Sequence, residues 1–172
     1  MKDNNIKIPF YVSTNNKHMS CLGVFAYIFN HFLPDQELRI LGYEKPDFKL
    51  PDNCKFISMG IQGTVNEWST DLRKYFKDVD EKYFIYGTED TFFYKKPNVD
   101  FINYLVELIE ENDSVGRINL VDGTEGDDCH LINSMHYKVN LLEEIIGSEW
   151  GDWNLYRQTR ESNYSITTQF SI

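Results

Sequence analysis

Short apolar runs alternate with amphipathic stretches along most of this chain, and that alternation narrows the architectures open to it. Ile8–Ser13 (IPFYVS), Glu37–Tyr43 (ELRILGY), Cys54–Met59 (CKFISM) and Tyr83–Tyr86 (YFIY) read as buried strands. Met19–Phe32 is apolar nearly all round, as a buried helix is, and it stops before Pro34. Thr64-Val65-Asn66-Glu67 has the spacing of a capping box and predicts a helix from about Val65, with Trp68, Leu72, Tyr75 and Phe76 on its apolar face. Asn98 is the expected N-cap of a helix over Val99–Glu111 that buries Phe101, Ile102, Leu105, Leu108 and Ile109. Further on, Val115–Val121 predicts a fifth strand, Lys138–Ile146 a helix ending at Gly147, and Tyr164–Phe170 a half-buried strand. Strands alternating with helices imply a mainly parallel sheet with crossovers on both faces, a Rossmann-like α/β domain.

At 172 residues the chain is long enough for one domain with a real core. Its aromatic content is high, with 11 Tyr and 12 Phe far outnumbering Ala, so no long disordered tract is expected. Seventeen basic against 27 acidic residues leave a net charge of −10. With no Lys/Arg cluster to offset that repulsion, nucleic-acid binding through phosphate neutralisation is not expected. The polar start, MKDNNIKIPF, lacks the apolar stretch of a signal peptide. The longest apolar run, Cys21 to Phe29, is far shorter than the ~20 residues that span a bilayer. Cys21, Cys54 and Cys129 are widely spaced and form no CxxC, which points to a reducing, cytoplasmic setting.

The segment YFIYGTEDTFF, Tyr83 to Phe93, concentrates the chemistry. A buried strand runs into Gly87-Thr88 and is expected to expose two adjacent carboxylates, Glu89 and Asp90. Ligands of open α/β sheets collect beyond the carboxyl ends of the strands, and carboxylates placed there can hold a hard cation. The two point to opposite faces in an extended segment and converge only if the backbone turns. The competing reading is an acidic turn facing water. Ser13 and Thr14, at the end of the first strand, are placed either to bond a base or ribose or to satisfy local backbone. Gly60 to Gly63 reads as a tight loop, or as backbone N–H groups offered to an anion. Asp122, Glu125, Asp127, Asp128 and His130 form an acidic loop whose spacing matches no metal loop. His18 and His31 flank the first helix without an obvious partner. There is no GxGxxG after the first strand, no GxxxxGK[ST] and no GxSxG, so phosphate-loop and serine-hydrolase chemistry have no support.

Three linked pieces carry a resemblance: WSTDLRKYF from Trp68, then YFIYGTEDTFF, then a helix and a strand ending near VGRINLV. In this order they resemble the GT-A type nucleotide-sugar glycosyltransferases, specifically a group of small bacterial and viral glycosyltransferase-like proteins, over about residues 6 to 172. The resemblance implies a single GT-A type domain over residues 1–172, and transfer of a sugar from a nucleotide-sugar donor to a saccharide or other hydroxyl acceptor. It implies a DxD-type turn binding a divalent cation, Mn or Mg, which maps onto Glu89 and Asp90. It places Ser13, Thr14 and Asn15 at the nucleotide, with Trp68 and Thr88 beside the donor, and leaves Asp128, Glu125 or Asp122 as the catalytic base.

This chain departs from the pattern in reading Thr88-Glu89-Asp90 where a DxD would begin, which permits a metal-independent enzyme or an inactive relative. Similar proteins also continue past Phe170-Ser171-Ile172, so either the domain is truncated at its C-terminus or the acceptor surface comes from elsewhere. Two rival readings stay open: a non-catalytic nucleotide- or glycan-binding module, and a protein-interaction domain that uses Trp150 and Trp153.

Overall fold

The computed structural model describes residues 5–64, 67–93, 95–111, 118 and 120, together with the backbone of two strands further on. The chain divides into two compact units, Met1–Leu120 with Thr168–Ile172, and Val121–Thr167.

The first unit is built on four parallel strands, β1 (Phe10–Ser13), β2 (Leu38–Gly42), β3 (Cys54–Ser58) and β4 (Ile85–Thr88), in the order β3-β2-β1-β4. Helix α1 (Met19–Phe32) links β1 to β2, α2 (Trp68–Lys77) links β3 to β4, and α3 (Val99–Glu111) follows β4. The expected α/β class with a parallel sheet is thus the one observed. No helix among the described residues is long and apolar enough to cross a membrane.

Register explains the sequence of β1. Phe10 lies opposite Leu38 and Ile85, and Val12 opposite Ile40 and Gly87. These residues join Leu22, Phe25 and Phe29 of α1 and Ile102 and Val106 of α3 in one core. The alternate residue Tyr11 turns to the other face, where Leu41 and Leu72 of α2 cover it together with Tyr75, Phe76 and Phe84. All four β1 residues are therefore buried, and the strand is apolar on both faces because both are covered. On the first face the Phe10 and Phe29 rings meet edge to face, centroids 5.1 Å apart. On the second, Phe76 and Phe84 stack at 4.4 Å and the Tyr11 hydroxyl accepts a 2.6 Å bond from Arg39, whose guanidinium also pairs with Glu37 and Glu81.

Element ends obey local chemistry. Asn98 caps α3 as expected, its Oδ1 accepting the Phe101 N–H at 3.1 Å. Helix α2 begins at Trp68, later than the capping box predicts. Glu67 does reach back to the Thr64 N–H at 2.6 Å, but the Thr64 hydroxyl donates to the same carboxylate at 3.0 Å. The motif closes a local turn ahead of the helix. Strand β4 pairs from Ile85 to Thr88, so Gly87 and Thr88 belong to the ladder and Tyr83-Phe84 precede it.

In the second unit, β5 (Leu142–Ile146) and β6 (Leu155–Gln158) pair antiparallel. This overturns the helix expected over Lys138–Ile146. The register places Glu144 opposite Tyr156 and Ile146 opposite Leu155, which leaves Ile145 as one extra residue on β5. Such a bulge interrupts the two-residue period, and the apolar spacing 141, 142, 145, 146 then mimics a helix. The strands expected over Val115–Val121 and Tyr164–Phe170, Gly147, Trp150 and Trp153 lie outside the described residues, apart from Ile118 and Leu120.

Two glycines should respond oppositely to alanine. A Cβ on Gly42, at the end of β2, would meet Phe56 ring carbons at 2.7 and 2.9 Å and the Thr14 methyl at 2.9 Å. On Gly23, inside α1, it would touch only the Phe48 ring at 3.4 Å. Urea unfolding should show Gly42→Ala losing about 1–3 kcal/mol to overpacking. The same measurement should show Gly23→Ala gaining up to about 1 kcal/mol from helix propensity. Equal effects would contradict this packing.

Candidate functional site at the sheet's reversal point

The strand order reverses direction at β1. From β1 the chain moves to β2 and β3, then returns across the sheet to β4 on the other flank of β1. Helix α1 packs on one face and α2 on the other, as right-handed crossovers in opposite directions require. The turns after β1 and β4 lie side by side at the carboxyl edge of the sheet, where open α/β sheets bind ligands.

After β1, Thr14 extends the pairing through its N–H to the Leu41 carbonyl at 2.8 Å. The Asn15 side chain then accepts the N–H groups of Lys17 and His18 at 2.9 and 3.1 Å and caps a 3-10 turn, Asn16–His18, that leads into α1. After β4 the chain folds back in a turn closed by the Thr91 N–H to the Thr88 carbonyl at 3.3 Å. Two residues further on, the Phe93 ring lies about 6 Å from those of Phe10, Phe25 and Phe29. The turn is thus pinned to the strand on one side and the core on the other.

That geometry separates the two acidic residues. Asp90 is exposed and accepts the Thr88 hydroxyl at 2.6 Å. Glu89 is only 3% exposed, which corrects the expectation that both carboxylates face solvent. Its Oε1 accepts the Thr14 hydroxyl at 3.1 Å and lies 3.3 Å from His18 Nδ1. The turn that might have converged the pair sends one carboxylate inward and one outward. Burial pushes the Glu89 carboxyl above its ordinary value, with backbone, Thr14 and His18 opposing the shift.

The other strand ends are tied to the same place. Gln62, in the loop after β3, accepts the Asn16 N–H at 2.9 Å, and Asn16 accepts the Glu44 N–H at 3.2 Å. In that loop Gly60 has φ of 103°, a conformation open to glycine, and Ile61 is 96% exposed. Behind, the Ser13 hydroxyl lies 2.7 Å from that of Tyr86, whose phenol burial pushes up. Burial and the neighbouring Asp71, 3.2 Å from its hydroxyl, push Tyr43 up to about 12.

The structure thus brings together Ser13, Thr14, Asn15, Thr88, Glu89 and Asp90. Their polar atoms are largely engaged within the protein: Ser13 with Tyr86, Thr14 with Glu89, Thr88 with Asp90. Trp68 is half-buried in the first turn of α2 and packs on the Tyr11, Leu41 and Leu72 cluster. Asp122, Glu125 and Asp128 lie outside the described residues, as do Asp127, Cys129, His130 and His136. Sequence reading missed His18; the signal was its place three residues after Asn15, whose capping turn aims it back at the strand ends.

The donor set does not fit the divalent cation that the resemblance implies. Among the described residues no three His, Cys, Asp or Glu side chains form a group able to hold a metal. Glu89 is committed to Thr14 and His18, and Asp90 faces away with one oxygen already bonded. The chain matches no protein-family model, no curated protein and no solved structure.

The buried carboxyl predicts a pH signature. Its folded-state pKa is raised, so the native state holds this proton more tightly than the unfolded chain. The stabilisation from that proton is complete below the ordinary value of 4.5 and is lost as pH rises through the folded pKa. Glu89→Gln, neutral throughout, should therefore gain stability relative to wild type as pH rises from 4.5 through the raised folded pKa. A difference that stays constant across that range in urea titrations would refute it.

Proposed function

We propose that this domain binds a nucleotide-sugar at the reversal point between β1 and β4 and transfers the sugar to a saccharide or other hydroxyl acceptor. The observation that carries this reading is the meeting of the β1 and β4 turns through Thr14, Glu89 and His18, at the position where open parallel sheets hold nucleotides. The resemblance of WSTDLRKYF and YFIYGTEDTFF to GT-A type glycosyltransferases supports it. Transfer needs a base for the acceptor hydroxyl, and Asp122, Glu125 and Asp128 remain the proposed carboxylates for that proton. No step is assigned to a cation.

The divergence of Glu89 and Asp90 favours one second reading, a nucleotide-binding module without transferase activity. The two separate on prolonged incubation with a bound nucleotide-sugar: a transferase slowly releases free sugar, whereas a binding module leaves the donor intact.

A thermal-shift panel of UDP, GDP, CMP and their sugar conjugates, with and without manganese, tests the site on wild type and Asp90→Asn. At 100 times its dissociation constant a ligand adds ~2.7 kcal/mol, enough for a visible shift. One nucleotide class should raise the melting temperature equally with and without manganese. A shift that requires manganese and vanishes in Asp90→Asn would restore the cation to this turn. No shift with any nucleotide would overturn the nucleotide-sugar reading.

A further inference from the structure

Strand β3 forms one edge of the sheet, with β2 on its inner side. The ladder fixes which of its backbone groups face inward. The Asn53 carbonyl accepts the Leu38 N–H at 2.9 Å, and the Met59 N–H reaches the Gly42 carbonyl at 2.7 Å. Backbone groups alternate sides along a strand, so Asn53, Lys55, Ile57 and Met59 turn theirs to β2, while Cys54, Phe56 and Ser58 turn theirs outward. The Cys54 N–H is taken by the Pro51 carbonyl at 2.9 Å, and beyond the strand the Gly60 N–H is taken by the Ser58 hydroxyl at 3.2 Å. Among the described residues, the outward N–H and C=O groups of Phe56 and Ser58 have no partner. Little blunts this edge. β3 contains no Pro, pairs with β2 in unbroken register and carries a single charge, Lys55. Half-buried apolar side chains flank it on both faces, Cys54 and Phe56 against the Phe10 core and Ile57 and Met59 against the Tyr11 cluster.

We infer that a second copy of this chain pairs here, β3 against β3, antiparallel about a two-fold axis at Ile57, so that two sheets join into one. That axis sets Phe56 of one copy opposite Ser58 of the other, and each open donor then meets an open acceptor. It brings the two Ile57 side chains together at the closer, non-hydrogen-bonded position and leaves Lys55 opposite Met59. An axis at Lys55 would oppose two lysines, and one at Phe56 would set each Lys55 against Ile57 and leave the Ser58 carbonyls unpaired. The pattern of open groups is thus its own complement in one register. Two copies of net charge −10 repel at long range, so salt strengthens this pairing.

Amide hydrogen exchange read residue by residue across a protein concentration series, with the mass followed by light scattering, tests this. In dilute protein the Lys55 and Ile57 amides should exchange slowly and the Phe56 and Ser58 amides fast. As the mass rises from monomer to dimer, the Phe56 and Ser58 amides should slow in step, and at lower concentration in high salt than in low. Ile57→Lys opposes two lysines across the axis and should stay monomeric, with the Lys55 amide still slow because its bond to β2 is intact. Three results in wild type would each overturn the pairing: a mass that stays monomeric at millimolar concentration, a dimer whose Phe56 and Ser58 amides remain fast, or the same two amides already slow in the dilute monomer. An Ile57→Lys protein that dimerises like wild type would overturn the register and the proposal with it.

Discussion

Everything in the first unit depends on β1 being paired on both edges and covered on both faces. Its register sets each residue of Phe10–Ser13 beside one of β2 and one of β4 in a parallel ladder. Parallel strands need crossovers, and crossovers of one hand that run in opposite directions must lie on opposite faces. Hence α1 lies on the Phe10 face and α2 on the Tyr11 face, and α3 joins α1. The strand order reverses at β1, and its pairing with β4 brings the turns after these two strands together at the carboxyl edge of the sheet.

The polar residues there then face a problem of satisfaction. Ser13, Thr14 and Glu89 are 1%, 2% and 3% exposed, so each needs a partner within the protein. Ser13 finds the Tyr86 hydroxyl, and Thr14 finds Glu89. A buried carboxyl retained in such a place is costly when ionised, and the hydrogen bond from Thr14 and the imidazole 3.3 Å away offset part of that cost. The arrangement stiffens the junction of the two turns, which suits a site that must hold a ligand without rearranging.

Much of this was legible in the sequence, for identifiable reasons. The α1 and α3 boundaries were readable because Pro34 follows one helix and Asn98 caps the other. Strand positions came through because buried parallel strands are continuous apolar runs. The gathering of Ser13, Thr14, Glu89 and Asp90 was readable because all sit at or just past strand ends. Three things were not. The burial of Glu89 depends on the Thr14 hydroxyl from a residue 75 positions away, which no local pattern encodes. The Thr64–Glu67 pair closes a turn ahead of α2 rather than capping it, a difference the motif's spacing does not distinguish. The strand at Leu142–Ile146 is hidden by its own bulge.

Gly42 shows how closely the core and the site are joined. The space its missing side chain leaves is filled from one side by Phe56 of β3 and from the other by the methyl of Thr14. The same Thr14 offers its hydroxyl to Glu89, so its rotamer is fixed by packing at one end and by a hydrogen bond at the other. A threonine serves here where a serine would not, because the methyl meets the sheet while the hydroxyl meets the carboxyl. Glu89 in turn lies against the ring of His18. The line from the Gly42 backbone to the exposed imidazole is thus a chain of direct contacts. A packing choice at the end of β2 is thereby joined through Thr14 and Glu89 to the turns after β1 and β4.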